Sequence, residues 1–145
     1  MGFRFPLATL LRYRESVEQR EELALKRVTF EMARVGRQIT ELAIEMARAT
    51  DDRETALLRC MQASELKSRQ DEMSAAMAGK QTLTETLDGL RREREKQLEI
   101  YQTARVNRRV LTDLLEQKKT AWEHDQVRAE QKTIDDIFGA RIQRG

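Results

Sequence analysis

Apolar residues recur along this chain at alternating spacings of three and four, and no other feature of the sequence constrains the fold as much. The repeat is unbroken from Leu25 to Ala49 and resumes after Arg53. We call it the first seam, and its members are Leu25, Val28, Met32, Val35, Ile39, Leu42, Met46, Ala49, Ala56, Cys60 and Ala63. Such a repeat places apolar side chains along one side of a helix and is typical of coiled coils.

A second seam with the same spacing follows, although polar residues occupy several of its positions. It consists of Met73, Ala76, Lys80, Leu83, Leu87, Leu90, Arg94, Gln97, Tyr101, Ala104, Arg108, Leu111, Leu115, Lys118 and Trp122. Two long helices joined by a turn bury both seams by folding back on each other. The pattern therefore predicts an all-α fold, a single-domain antiparallel coiled-coil hairpin.

The turn could lie near Ser64 or near Gly79, and the pairing of the seams favours Ser64. A turn near Ser64 sets Leu42 opposite Leu83, whereas a turn at Gly79 sets Leu42 opposite Lys118, and burying an apolar group against a charge gains little. We therefore predict helix 1 over about 6–61, a turn over about 61–65 with Ser64 as N-cap, and helix 2 over about 65–141. Gly79 then lies inside helix 2.

The same pairing predicts a C-terminal overhang. It sets Glu18 near Arg108 and Trp122 near Phe5, so helix 2 extends about 25 to 30 Å past its partner. The overhang carries an apolar stripe with no partner in the chain, and the residues of this stripe are Ile134, Ile137, Phe138 and Ile142. An amphipathic helix without a partner is a candidate for docking into another protein.

Composition argues against several functional classes. With 39% hydrophobic and 36% charged residues, the 145-residue chain is poor material for a globular enzyme core. The net charge is only +2, and basic and acidic residues are interspersed along the chain. We therefore expect neither nucleic-acid nor anionic-membrane binding. No stretch is long and apolar enough for a transmembrane helix, the start lacks the features of a signal peptide, and one cysteine fits a reducing compartment. We expect a cytosolic protein.

No group of residues predicts catalysis or metal binding. His124 is the only histidine and Cys60 the only cysteine, and the hairpin places Cys60 at the turn, on the first seam, away from His124. The carboxylates of Asp135 and Asp136 lack a concave site, and "MAGKQT" lacks the first glycine of a phosphate-binding loop. We therefore expect no catalytic residue, metal, cofactor or small-molecule substrate.

A methionine-containing group early in helix 2 admits two interpretations. Met73, Ala76 and Leu83 fall on the second seam, which favours packing between the helices. Together with Met77 they could instead form a patch that meets a partner, because thioether side chains adapt to irregular surfaces.

The two ends of the chain resemble those of the FliJ family, small coiled-coil proteins of the bacterial flagellar export apparatus. The matching residues at the start are Phe3, Phe5, Leu10, Leu11, Arg14 and Glu15. Those at the end are Lys118, Lys119, Trp122, Gln131, Lys132, Asp135 and Asp136. Chain length and a turn near "ASEL" are also similar.

The resemblance implies a non-enzymatic stalk. Proteins of this family insert their paired termini into a hexameric flagellar export ATPase, and they contact the membrane protein of the export gate and export chaperones. The implied ATPase-ring residues here are Arg128, Lys132, Ile134, Asp135, Asp136, Ile137 and Phe138. The implied export-gate residues are Met73, Ala76, Met77 and Leu83.

The resemblance also implies a protein that is monomeric when free and works at the cytoplasmic face of the inner membrane. Two alternatives stay open at this point. The chain could be the equivalent stalk of a virulence-type secretion system, or a structural coiled-coil spacer that associates through its tail stripe.

Overall fold

A computed structural model describes residues 2–144, and within them the chain is all-α, as the seams predict. Helix α1 spans Ala8–Leu58 (51 residues) and helix α2 spans Ala63–Arg144 (82 residues). No strand occurs within this part of the chain. Since the described chain has only these two helices, its apolar side chains can be buried only where the helices pack together.

Helix α1 begins shortly after the only proline. Pro6 lies in a turn, where its fixed φ is tolerated and its missing N–H leaves no bond unmade. The carbonyl of Phe5 accepts from Ala8 N at 3.1 Å, and that of Leu7 accepts from Leu11 N at 2.9 Å. The helix therefore starts two residues later than the predicted start at 6.

The turn between the helices occupies residues 59–62, earlier than the predicted 61–65. The last turn of α1 tightens, with Arg59 N donating to Ala56 O at 3.1 Å and Cys60 N to Leu57 O at 3.3 Å. Cys60 then adopts a left-handed conformation, with φ of 59°. That conformation ends helices and is usually taken by glycine, so a cysteine at this position does not predict it.

Two predictions about the turn are therefore wrong. Ser64 is not the N-cap, because α2 has already begun at Ala63 and the carbonyl of Gln62 accepts from Leu66 N at 3.1 Å. Cys60 does not extend the first seam, because it lies in the turn with its side chain exposed.

The chain divides into two compact units. The first combines the start of the chain through Arg20 with the part of α2 from Gln102 onward, and the second consists of Glu21–Tyr101. In the first unit Leu11, Ala104 and Leu111 are buried between the helices. Burial of these apolar side chains is the main source of stability in such packing.

Polar and aromatic contacts complete the first unit. The guanidinium of Arg108 donates to both carboxylate oxygens of Glu18, from Nε at 2.6 Å and from Nη2 at 3.3 Å, which confirms the predicted pair. Trp122 packs against Phe3, with ring centroids 6.1 Å apart. The predicted neighbourhood of Trp122, the beginning of the chain, is thus also found.

The second unit is a helical hairpin around the turn. Val35 is its buried residue, and Gln97 donates from Nε2 to Glu21 Oε2 at 2.7 Å and to the Glu21 carbonyl at 3.1 Å. Gly79 lies inside α2 beside Leu42, whose Cδ2 would be 3.9 Å from a Cβ placed on the glycine. A turn at Gly79 is thereby excluded.

Candidate protein-interaction surfaces

The last part of α2 is a continuous helix on which no other described residue of the first unit packs. Every residue from Glu123 to Arg144 is exposed. The predicted stripe is far from buried: the exposed fractions are 54% for Ile134, 53% for Ile137, 63% for Phe138 and 71% for Ile142. Four large apolar side chains on one bare helical segment of the first unit are unusual unless another surface covers them.

The tail stripe is not a continuation of the second seam. Continuing the spacing of that seam past Trp122 leads to Asp125, Ala129, Lys132 and Asp136, none of which is a large apolar residue. Ile134 and Phe138 instead lie about 120° to 160° around the helix from Trp122, at 100° per residue, whereas Ile137 lies only about 60° from it. Most of the stripe is therefore on a different side of α2 from the one that packs on α1.

Val127 belongs to this stripe and was missed in the sequence analysis. It is 63% exposed and precedes Ile134 by one heptad, so it lies on the same side of the helix. The spacing of seven residues between Val127 and Ile134 is the sequence feature that predicts this. With Val127, the apolar stripe begins close to the end of the paired region.

Charged residues flank the stripe on the exposed helix. Arg128, Lys132, Asp135 and Asp136 are all exposed, and Asp135 accepts from Gln131 Nε2 at 3.0 Å along the helix. Exposed charges of both signs beside an apolar stripe suit the rim of a protein interface, where they set orientation and encounter rate.

The predicted gate residues do not form one flat patch. Met73 and Ala76 are half-buried and, with Leu42, Met46 and Ala49 of α1, line a groove of about 280 Å³ in the second unit. Leu83 is half-buried farther along the seam, and Met77 is 59% exposed outside the groove. Three of the four side chains thus lie on the side of α2 that packs on α1, as the seam predicts, and contact of the group with a partner stays a prediction.

Arg53, the residue that interrupts the first seam, borders the same groove. Its side chain is half-buried, and its Nε is buried without a hydrogen-bond partner in the part of the chain that is described. A buried donor without an acceptor costs about 1 to 3 kcal/mol.

Neither His124 nor Cys60 lies in a constellation suited to chemistry. Both are exposed, and within residues 2–144 no group of three or more His, Cys, Asp or Glu side chains could hold a metal ion. Neither described helix has an apolar stretch long enough to cross a membrane. The surfaces that the structure does offer are an exposed apolar stripe and a groove between helices, and both are suited to binding proteins.

Comparison with known proteins gives a family for the chain as a whole. The family model described as "Flagellar FliJ protein" matches residues 3–145. No curated protein and no solved structure gives a significant match.

Proposed function

Since the chain belongs to the flagellar FliJ family, which supports a flagellar, export-related role, we propose that it is a non-enzymatic stalk of the export apparatus. Its tail enters the hexameric export ATPase, and its second unit contacts the export gate. The stalk also meets export chaperones, needs no cofactor, and works at the cytoplasmic face of the inner membrane; it is monomeric when free.

The observation that carries this proposal is the bare tail of α2. Ile134, Ile137 and Phe138 are each more than half exposed and have no partner in the first unit. Their side chains follow one another along the exposed helix and are flanked by Arg128 and Lys132. A ring with an apolar central opening would cover the stripe, while acidic groups at its rim would orient the basic residues.

A single asymmetric helix inside a six-fold ring contacts its subunits unequally. Contacts that are stronger in one subunit state than in another shift the ring toward that state. We propose that this difference raises the rate of ATP hydrolysis.

The test of the tail is stimulation of the cognate export ATPase by the purified full chain. Ile134, Ile137 and Phe138 are changed together to glutamine, which keeps helix propensity while removing apolar surface. A matched control changes Val106 and Val110, which are 58% and 60% exposed on the same helix, to glutamine.

We expect the tail variant to lose stimulation by about tenfold or more, and the control to keep it. Both should retain the helical circular dichroism of the parent. No stimulation by the parent would favour the structural spacer, whose own signature is oligomers that dissociate when the tail is changed. Equal stimulation by the parent and the tail variant would show that the ATPase binds another surface of the protein.

The groove is proposed as the gate-contacting site, because Met73 and Ala76 line it and the buried Arg53 Nε beside them makes no hydrogen bond within the described residues. Ala76→Gln fills the groove, whereas Ala75→Gln adds the same side chain at an exposed neighbouring position. Binding to the cytoplasmic part of the gate protein should weaken about tenfold for the first variant and stay unchanged for the second. Equal affinities for both would exclude the groove.

A further inference from the structure

The outward side of α1 in the second unit carries a third apolar repeat that neither seam uses. Leu23, Phe30 and Ile44 lie at whole-heptad spacings and are 50%, 62% and 48% exposed. We define the outer face of α1 as the twelve outward heptad positions from 23 to 48, all of which are exposed. They are Leu23, Lys26, Arg27, Phe30, Ala33, Arg34, Arg37, Thr40, Glu41, Ile44, Ala47 and Arg48.

The small residues of this face complete a helix-packing surface. Ala33, Thr40 and Ala47 lie three residues after Phe30, Arg37 and Ile44. The face thus repeats at spacings of three and four, as a coiled-coil interface does, with Lys26 and Arg37 at two of its positions. Thr40 donates its hydroxyl to the Gly36 carbonyl at 3.1 Å, so the hydroxyl is already satisfied within the helix. The face thus presents large and small side chains at the heptad spacing at which a third helix could pack.

The charge of the outer face of α1 is one-sided. Five of its positions are basic (Lys26, Arg27, Arg34, Arg37 and Arg48), and only Glu41 is acidic. Lys26 pairs with Glu22 at 3.4 Å and Arg34 with Glu31 at 2.7 Å.

Three basic side chains of the face remain available. Within residues 2–144, Arg27, Arg37 and Arg48 form neither an ion pair nor a hydrogen bond through their side chains. Unpaired arginines beside an apolar stripe are complementary to a partner that brings carboxylates.

The outward side of α2 in the same unit has the opposite character. Between residues 71 and 99 its acidic residues, Asp71, Glu85, Asp88, Glu95 and Glu99, outnumber the basic residues Arg92 and Lys96. It carries no large aliphatic or aromatic side chain, its remaining positions being Ser74, Ala75, Ala78, Gln81, Thr82 and Gly89. The acidic side of α2 in a second copy would therefore attract the basic face of α1, but it has no apolar stripe to pack on that face. The α1 face of a second copy, which is also basic, would repel it.

We propose that the outer face of α1 binds an amphipathic α-helix of another protein, whose apolar stripe repeats by the heptad and is flanked by carboxylates. Leu23, Phe30 and Ile44 insert into that stripe, and Arg27, Arg37 and Arg48 pair with the carboxylates. An anionic membrane is a poorer match, because Arg37 and Glu41 interrupt the apolar line between Phe30 and Ile44. The inference is independent of the ATPase and gate surfaces, since it uses none of their residues.

The probe is a synthetic peptide of about 28 residues, with leucine at the two core positions of each heptad and glutamate at the flanking positions. Glutamate in these positions keeps the free peptide from pairing with itself. A second peptide carries lysine instead. Binding to the full chain is followed by fluorescence anisotropy, and vesicles of phosphatidylglycerol are tested by flotation.

We expect the parent to bind the glutamate peptide about tenfold or more tightly than the lysine peptide. Leu23→Gln, Phe30→Gln and Ile44→Gln combined should abolish the preference. Arg27→Glu, Arg37→Glu and Arg48→Glu combined should reverse it, a gain of binding that misfolding cannot produce. The tail variant with glutamine at 134, 137 and 138 should bind like the parent.

Other outcomes would overturn the proposal. Equal binding of both peptides, or binding that survives the glutamine substitutions in α1, would remove the face as the site. Flotation with anionic vesicles that these substitutions abolish, without peptide binding, would make the occupant a lipid surface. Concentration-dependent dimers abolished by the same substitutions would make it a second copy.

Discussion

Helix α2 carries similar apolar side chains on both sides of Trp122, and they serve different purposes. Before Trp122, Ala104 and Leu111 are 6% and 8% exposed against α1. After it, Ile134 and Phe138 are 54% and 63% exposed on another side of the helix. Side-chain type alone therefore does not separate a residue that stabilises this fold from one available to a partner. The difference lies in heptad position and in whether α1 is alongside.

The largest effect on stability is expected at Leu111. Leu111→Ala removes a buried side chain where α1 packs on α2, which should lower the free energy of unfolding by about 2 to 3 kcal/mol. Urea unfolding followed by circular dichroism measures the change. Leu111→Met is the control, since it conserves volume and should cost less than about 1.5 kcal/mol. A loss below 0.5 kcal/mol for the alanine variant, on the same scale, would mean that this contact adds little.

A smaller effect is expected for the ion pair of the same region. The side chains of Glu18 and Arg108 are 16% and 25% exposed, so solvent screens their bond only in part. Glu18→Gln keeps the shape but removes the charge, and should cost about 1 kcal/mol. Adding Arg108→Gln to it in a double-mutant cycle isolates the coupling between the two residues. Strictly additive losses would show that the bond contributes nothing of its own.

A substitution at Gly79 tests whether the space between the paired helices can accept an added methyl group. A Cβ at this position would meet Leu42 Cδ2 at 3.9 Å, an ordinary van der Waals distance. Gly79→Ala should therefore stabilise the second unit by up to about 1 kcal/mol through higher helix propensity. Gly89→Ala, where a Cβ would meet nothing within 4 Å, is the matched control for propensity alone. A lower melting temperature for Gly79→Ala than for the parent would contradict the expected fit.

The smallest effect on stability is expected in the tail. Ile137→Ala removes a side chain that is 53% exposed, so the free energy of unfolding should change by less than about 0.5 kcal/mol. Thermal unfolding of this variant beside Leu111→Ala compares the two parts of α2 directly. A loss similar to that of Leu111→Ala would show that the tail stripe has an intramolecular partner in solution.

Much of this architecture follows from apolar spacing, because spacing alone determines which side of a helix is buried. It predicted the two helices, the Glu18 and Arg108 pair, and the bare tail. It failed at the turn, where a cysteine takes the left-handed conformation that sequence rules assign to glycine. The excess of basic residues on the outer face of α1 was also not predicted. Charges counted along the chain are mixed, and the basic and acidic residues separate only when they are placed around the helix axis.

The contact between Trp122 and Phe3 gives the protein an internal optical reporter. Trp122 is the only tryptophan, and it is half-buried where the paired helices give way to the tail. Its emission depends on local exposure, so release of the N-terminal segment should shift the spectrum to longer wavelength without any attached dye. Opening of the end nearest the tail stripe could thus be timed while a partner binds.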